Sequence, residues 1–402
     1  MDKRFKKHFV LKKRHTEIKH ALFSSALEKS LSIASALDDF YSYLDLFAGV
    51  GIFEDDGSIG SPIIALEMFR YHYNNCKESH KIEQFWIHLC EKNGYNELKK
   101  NLKKAGFTEL SYIKGYIRKN WEEEIETIQK IINKAKYGFI FADQFSTELD
   151  LRKFLPFLEG NSYEVLVFFN QNTLSRQKGR LHPNDVKRIA KVLAIEEDEV
   201  LTVPQEKFKD FVISTLKSHF FKYRQYVSIA AIPITVQRKL RDADFFYLLF
   251  ATGHPLILDS FLETYSENVL DRRAEIDPSV HYAGSLFKRS PTEDLEDLIS
   301  TYIVKKREVS LNELYLYFTQ EFLSWRAYVH TDATVPTLRN ITYALRELEK
   351  KRLIEVRAPQ RLLYKRGPKR NKKTLGQKGQ VNPAYLKRYS DLDEVMIYLR
   401  PR

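Results

Sequence analysis

The chain has 402 residues, 43% hydrophobic, 13% aromatic and 29% charged, which is enough apolar material to offset the entropy of ordering a chain and too much length for one ordinary core. Its 65 Lys and Arg against 53 Asp and Glu leave a net charge of +12, which favours polyanionic partners. With two cysteines, no run near the roughly 18 apolar residues of a membrane span and no apolar leader in MDKRFKKHFVLKKRH, the composition excludes global disorder, a disulfide scaffold and a membrane partner, and predicts a cytoplasmic protein without a metal site.

Residues 1–20 carry eight Lys and Arg against Asp2 and Glu17 and read as a basic N-terminal arm. YSYLDLFAGVGIF, residues 41–53, is an apolar run that meets an acid and then a small-residue turn, the pattern of a buried strand feeding a loop at the carboxyl edge of an α/β sheet. Glycines there let a nucleotide-like ligand approach and leave amides free, so Asp45, Gly49 and Gly51 are expected to line the edge. QFWIHLCEKN is a second strand ending at Glu91, where an acid typically accepts from ribose hydroxyls. It precedes a charged helix, NELKKNLKKAG.

LSYIKGYI is a weaker third strand, and WEEEIETIQKIINKAK a helix with Ile125, Ile128, Ile131 and Ile132 at helical spacing. YGFIFADQF, residues 137–145, is a clear fourth strand stopping at Asp143, and YEVLVFFNQ a fifth. Alternating strands and helices predict a mostly parallel sheet with sites at strand ends. Residues 172–290 are less legible, with helices in PNDVKRIAKVLA and EKFKDFVISTLKSHF and a last strand, turn and helix in FFYLLFATGHPLILDSFLETYSE.

After a linker at 281–292, three amphipathic helices lead into LIEVRAPQRLLYKRG, read as strand, turn at Ala358 to Gln360, and second strand. Three helices and a basic hairpin make a winged helix-turn-helix, whose third helix would enter a major groove. Arg339, Arg346 and Lys350 belong to that helix, and Arg357, Arg361, Lys365 and Arg366 to the wing. Lys369 and Arg370 open a basic tail, 367–402, in a stretch (361–380) with eight basic residues and no acid. The division is thus 1–20 arm, 21–280 α/β domain, 281–292 linker, 293–366 winged helix and 367–402 tail.

DLFAGVGIFEDDGSIGSPIIALEM, supported by HTEIKHALF, FIFADQFS and FYLLFATGHP, resembles the three-Cys-motif partner (TcmP) proteins over most of residues 10–265. The resemblance implies a Rossmann-like class I methyltransferase domain, S-adenosylmethionine as cofactor in a pocket of Asp45, Phe47, Gly49 and Gly51 with Glu91 on the ribose, and a partner protein with three cysteines. At the fourth strand the family's Asp-Pro-aromatic is here Asp143-Gln144-Phe145. Asp143 and Phe145 keep the acceptor and the stacking ring that a base methylase needs, while loss of the proline predicts a looser turn.

The leading expectation is a methyltransferase acting on a nucleic-acid base, DNA or RNA. The alternatives are a catalytically silent methyltransferase-like component of a bacterial, anti-phage system that binds nucleic acid or docks a partner, and, more weakly, a metal-dependent nuclease using Asp45, Glu91 and Asp143.

Overall fold

The computed structural model describes residues 14–53, 57–76, 82–107, 110–144, 148–233, 245–270, 291–322, 336–362 and 389–400. Its described parts divide into two compact units, one ending at Gly253 and the other beginning at His254.

The first unit opens with helix α1, Arg14–Ala34. It starts inside the stretch read as a basic arm, because Ile18, Leu22, Phe23, Ala26 and Leu27 recur on one face and are buried. Then follow β1 (Phe40–Asp45), α2 (Ser61–Asn75), β2 (Gln84–Cys90), α3 (Tyr95–Lys104), β3 (Ile113–Arg118), α4 (Ile125–Ile132) and β4 (Tyr137–Asp143). After β4 come α5 (Leu151–Phe154), β5 (Ser162–Phe169), α6 (Gln171–Arg180), α7 (Pro183–Leu193), α8 (Glu197–Thr202), α9 (Phe208–Phe221), β6 (Tyr226–Pro233) and β7 (Phe245–Thr252).

The sheet order is β3-β2-β1-β4-β5-β7-β6. Neighbours from β3 to β5 are parallel, and β7 runs antiparallel to both β5 and β6. On one face Phe23 of α1 stacks against Phe141, centroids 4.6 Å apart, and Phe69 of α2 against Phe85, also 4.6 Å. On the other, α4 lies over β1, with Ser42 Oγ donating to the Ile131 carbonyl at 3.2 Å. Tyr41, Tyr43, Phe139 and Phe141 are fully buried between these layers.

The second unit contains α10 (Pro255–Tyr265), α11 (Pro291–Lys306), β8 (Glu308–Ser310), α12 (Leu311–Phe322), α13 (Leu338–Lys350), β9 (Ile354–Arg357), α14 (Tyr389–Asp393) and β10 (Met396–Leu399). Asp259 of α10 joins two of its helices: Oδ1 accepts from the Tyr315 hydroxyl at 2.6 Å and from the Leu338 amide at 3.0 Å, the first amide of α13.

Two expectations are corrected here. The partner of β9 is β10, in an antiparallel sheet of order β8-β10-β9, whereas Arg361 and Leu362, read as the start of a second wing strand, fall in a short helical turn, Gln360–Leu362. Residues 389–400, read as tail, are the unit's last helix and the central strand of that sheet. Most of the stretch read as a linker, and Lys365, Arg366, Lys369 and Arg370, lie outside the described residues.

Candidate functional site

Parallel strands bring the ends of β1, β2 and β4 to one rim, so Asp45, Glu91 and Asp143 gather there from three parts of the sequence. Between β1 and α2 the chain makes a tight turn, with Gly49 at φ 64 and Gly51 at φ 81, left-handed conformations that glycine adopts without a Cβ penalty. The Gly60 amide donates to the Gly51 carbonyl at 2.8 Å and Asn101 Nδ2 to the Val50 carbonyl at 2.8 Å, which pins the turn from both sides.

Asp45 supports this turn from beneath. It is fully enclosed, its Oδ2 accepting from Ser61 Oγ at 2.8 Å and the Tyr43 hydroxyl at 3.1 Å, and its Oδ1 from the Phe47 amide at 3.3 Å. Burial outweighs these donors and pushes its pKa up to about 7. The expectation that Asp45 lines a ligand edge is therefore corrected: Phe47 and Gly49 are half-buried at the rim, while Asp45 holds them in place.

Glu91 also works on the backbone. Its Oε2 accepts from the Gly49 amide at 2.9 Å, and its Oε1 from the Asn93 and Gly94 amides at 2.8 and 2.9 Å. The Gly49 amide, expected to be free, is thus taken by the acid expected on the ribose. With about two lone-pair sites on each oxygen, Oε1 is filled by its two amides and Oε2 retains one further acceptor site.

At β4 the structure adds a residue that sequence reasoning missed. Lys19 of α1 places Nζ 2.5 Å from Asp143 Oδ2 and 4.1 Å from the centre of the Phe168 ring. Its side chain is 7% exposed and that of Asp143 22%, so this is an interior pair at the candidate catalytic acid. Counting Lys19 among arm charges concealed it. The signal that could have revealed it is the apolar spacing of Ile18, Leu22 and Ala26 around it.

The looser turn expected after β4 lies in residues 145–147, outside the described residues. Gln144 is buried, and its Oε1 accepts from the Glu148 and Leu149 amides at 2.9 and 2.8 Å, which ties the end of β4 to the start of the segment leading into α5. Phe145 lies outside the described residues. Among the described residues no group of His, Cys, Asp and Glu could hold a metal ion, and with Asp45 enclosed, Glu91 on three amides and Asp143 on Lys19, the nuclease reading loses its carboxylate cluster.

On α13, Arg339 and Lys350 are exposed, Lys350 with an ion pair to Glu347 at 2.6 Å. Arg346 is 6% exposed and faces the unit's interior, which removes it from a nucleic-acid surface. Arg357 at the end of β9 is exposed, paired with Glu355 at 2.8 Å and stacked over Tyr398. Arg361 falls in the Gln360–Leu362 turn.

No family model and no curated protein matches this chain. Solved structures similar to it include the O-methyltransferase TomG from Streptomyces achromogenes in complex with S-adenosylmethionine, at 13% identity over 57% of this chain and 80% of that one, TM-score 0.28. An O-methyltransferase from Bacillus cereus in complex with S-adenosylhomocysteine matches at 9% over 57% and 80%, TM-score 0.29. The B. subtilis M1A22 tRNA methyltransferase TrmK matches at 11% over 76% and 97%, TM-score 0.25.

Proposed function

We propose that this chain is an S-adenosylmethionine-dependent methyltransferase-domain protein acting on nucleic acid, with the cofactor at the rim of the first unit and the polyanion on the second. The observation that carries the proposal is the sheet: β3-β2-β1-β4-β5-β7-β6 with β7 alone reversed. This is the arrangement of the class I methyltransferase domain that the sequence resembles. The residue set fits an adenosyl cofactor, with half-open Phe47 and Gly49 beside Glu91, whose Oε2 has one site left to accept from a ribose hydroxyl.

The bound cofactor supplies an electrophilic methyl group. Asp143 Oδ1, which no donor holds among the described residues, would accept from an exocyclic amine and so orient the amine nitrogen, and Phe145 is the ring that the resemblance offers for stacking on the base. Winged-helix character in the second unit is supported by the succession of α11, β8, α12, α13, β9 and β10, with β10 central in the sheet. In sequence the basic stretch 361–380 falls between β9 and β10, and Arg339 and Lys350 are exposed on α13. A three-cysteine partner protein rests on the sequence resemblance alone.

The ion pair of Lys19 with Asp143 favours a second reading, a scaffold that binds the cofactor without transferring methyl. Two measurements separate the readings. Calorimetric titration of the full chain with S-adenosylmethionine should give a Kd below about 1 mM, and absence of binding at that concentration ends the methyltransferase reading. Transfer of labelled methyl to total nucleic acid should occur with the wild type and be abolished by Asp143→Asn, whereas binding without transfer selects the scaffold.

A further inference from the structure

At the sheet edge, on the face that α4 covers, β2 and β3 present two aromatic side chains to a cleft of about 580 Å³. Trp86 and Tyr116 line it from the sheet, and Thr127, Lys130, Asn133 and Lys134 from α4 and the turn after it. This volume falls in the range of small-ligand sites. Trp86 is the third residue of β2 and Glu91 follows that strand's last residue, so the cleft lies roughly 15 Å along the strand from the rim, at about 3.3 Å per residue. It is therefore a different place from the candidate cofactor site.

Its chemistry is one-sided. No acid lines it. Lys134 Nζ stands 5.6 Å from the centre of the Trp86 ring, and neither Lys130 nor Lys134 forms an ion pair among the described residues. Lys114, the register partner of Trp86 on edge strand β3, adds a third cation to the same row. Two polar groups on this face also lack partners: the Trp86 Nε1–H and both ring nitrogens of His88, two residues further along β2. His88 is fully buried and does not line the cleft, and Trp86 Nε1 is sealed from solvent, so the chemistry offered to an occupant is that of the two rings and the two lysines.

We infer that this cleft is a nucleotide-binding site, with a base stacked on Trp86 and Tyr116 and its phosphate between Lys130 and Lys134. Aromatic faces accept any base, and unpaired lysines supply the charge for one or two phosphates. An uncharged apolar ligand would leave the lysines unused, and a bare phosphate would leave the rings unused. The same chemistry serves a free nucleotide or one unit of a single strand, and this site does not rest on the cofactor reading.

The test is tryptophan fluorescence of the full chain titrated with 5′-UMP, with an eight-residue oligouridylate and with inorganic phosphate. UMP, the oligonucleotide or both should quench saturably: quenching by UMP identifies a free-nucleotide site, and quenching by the oligonucleotide alone a strand site. Lys130→Glu/Lys134→Glu should weaken binding tenfold or more with the thermal midpoint unchanged, and Trp86→Leu should remove the quench. A parallel filter-binding measurement reports affinity without the indole, so Trp86→Leu is read on binding as well as on signal. Absence of quenching by both at millimolar concentration overturns the proposal. So does an affinity unchanged in the double lysine variant, displacement by S-adenosylhomocysteine, or inorganic phosphate competing as well as UMP. Because the titrants carry no adenosine, failure here leaves the S-adenosylmethionine titration undisturbed.

Discussion

Asp45→Asn should make the first unit more stable at alkaline pH and leave it nearly unchanged at acid pH. The Asp45 carboxyl is enclosed and its pKa stands at about 7, against about 3.9 for an aspartate in an unfolded chain. Between those values the unfolded state has lost the proton and the folded state has kept it. Folding stability therefore falls as pH rises, by up to about 1.4 kcal/mol per pH unit, and the loss totals roughly 4 kcal/mol once pH passes 7. Asparagine keeps an oxygen that can accept from the Phe47 amide, and its Nδ2 can donate to the Tyr43 and Ser61 hydroxyls, which accept as well as donate, with no charge to desolvate. The wild-type deficit relative to the variant should thus grow by about 2–4 kcal/mol from pH 4.5 to 8.5. Urea unfolding in a Trp325→Phe background reports the first unit through Trp86 and Trp121, and the difference between the two curves cancels Glu164, which burial also pushes up to about 7. A difference constant to within about 0.5 kcal/mol over that range, or one widening toward acid pH, would refute the reasoning.

Lys19→Met should destabilise the first unit by about 1–3 kcal/mol, below the figure for a fully buried pair because Asp143 is 22% exposed. The cycle with Asp143→Asn, read by the same urea unfolding, should show a coupling of about 1 kcal/mol or more, and additivity would show that the two charges do not interact. Gln144→Ala strands the amides of Glu148 and Leu149 and should cost about 1–2 kcal/mol. Hydrogen exchange at those two amides should accelerate more than at neighbouring β4, and equal protection would refute the role assigned to Gln144. For the second unit, changing Lys365, Arg366, Lys369, Arg370, Lys372 and Lys373 to Gln should reduce the log–log salt slope of nucleic-acid binding by up to about 5, near 0.9 for each phosphate no longer neutralised. Substitution is the right perturbation because β10 lies beyond this stretch and a deletion would strain its pairing with β9. An unchanged slope would show that these charges touch no phosphate.

The strands that end in acids are legible because each is an apolar run cut off by a charge, as in YSYLD and YGFIFAD. β6 is not, since YVSIAAIP dilutes the run with Ser and Ala and closes on Pro233. The wing misleads for a different reason. RLLY after a turn looks like a hairpin partner, but the strand that pairs with Ile354–Arg357 comes from residues 396–399, and no local pattern marks so distant a pairing. At Arg346 and Lys19 a charge reads as exposed, yet each sits on the apolar face of its helix, among Thr342, Leu345 and Leu348 in one case and Ile18, Leu22 and Phe23 in the other.

The rim is held together by its own chain before any ligand is considered. Glu91 organises the loops after β1 and β2, Asp45 carries the glycine turn, and Lys19 offsets the charge of Asp143. One ribose hydroxyl could join Glu91 without breaking a bond, because Oε2 has a site left over. At Asp143 an entering neutral amine cannot outcompete an ammonium at 2.5 Å, since the charge-assisted bond is roughly twice as strong. Lys19 therefore stays on Oδ2, and a substrate amine has Oδ1 as its acceptor. On this geometry Lys19 fixes the carboxylate's orientation as well as its charge, so methyl transfer should fall in Lys19→Met even where S-adenosylmethionine binding is retained, and rise again in Lys19→Arg. A scaffold that transfers nothing would show no such pattern.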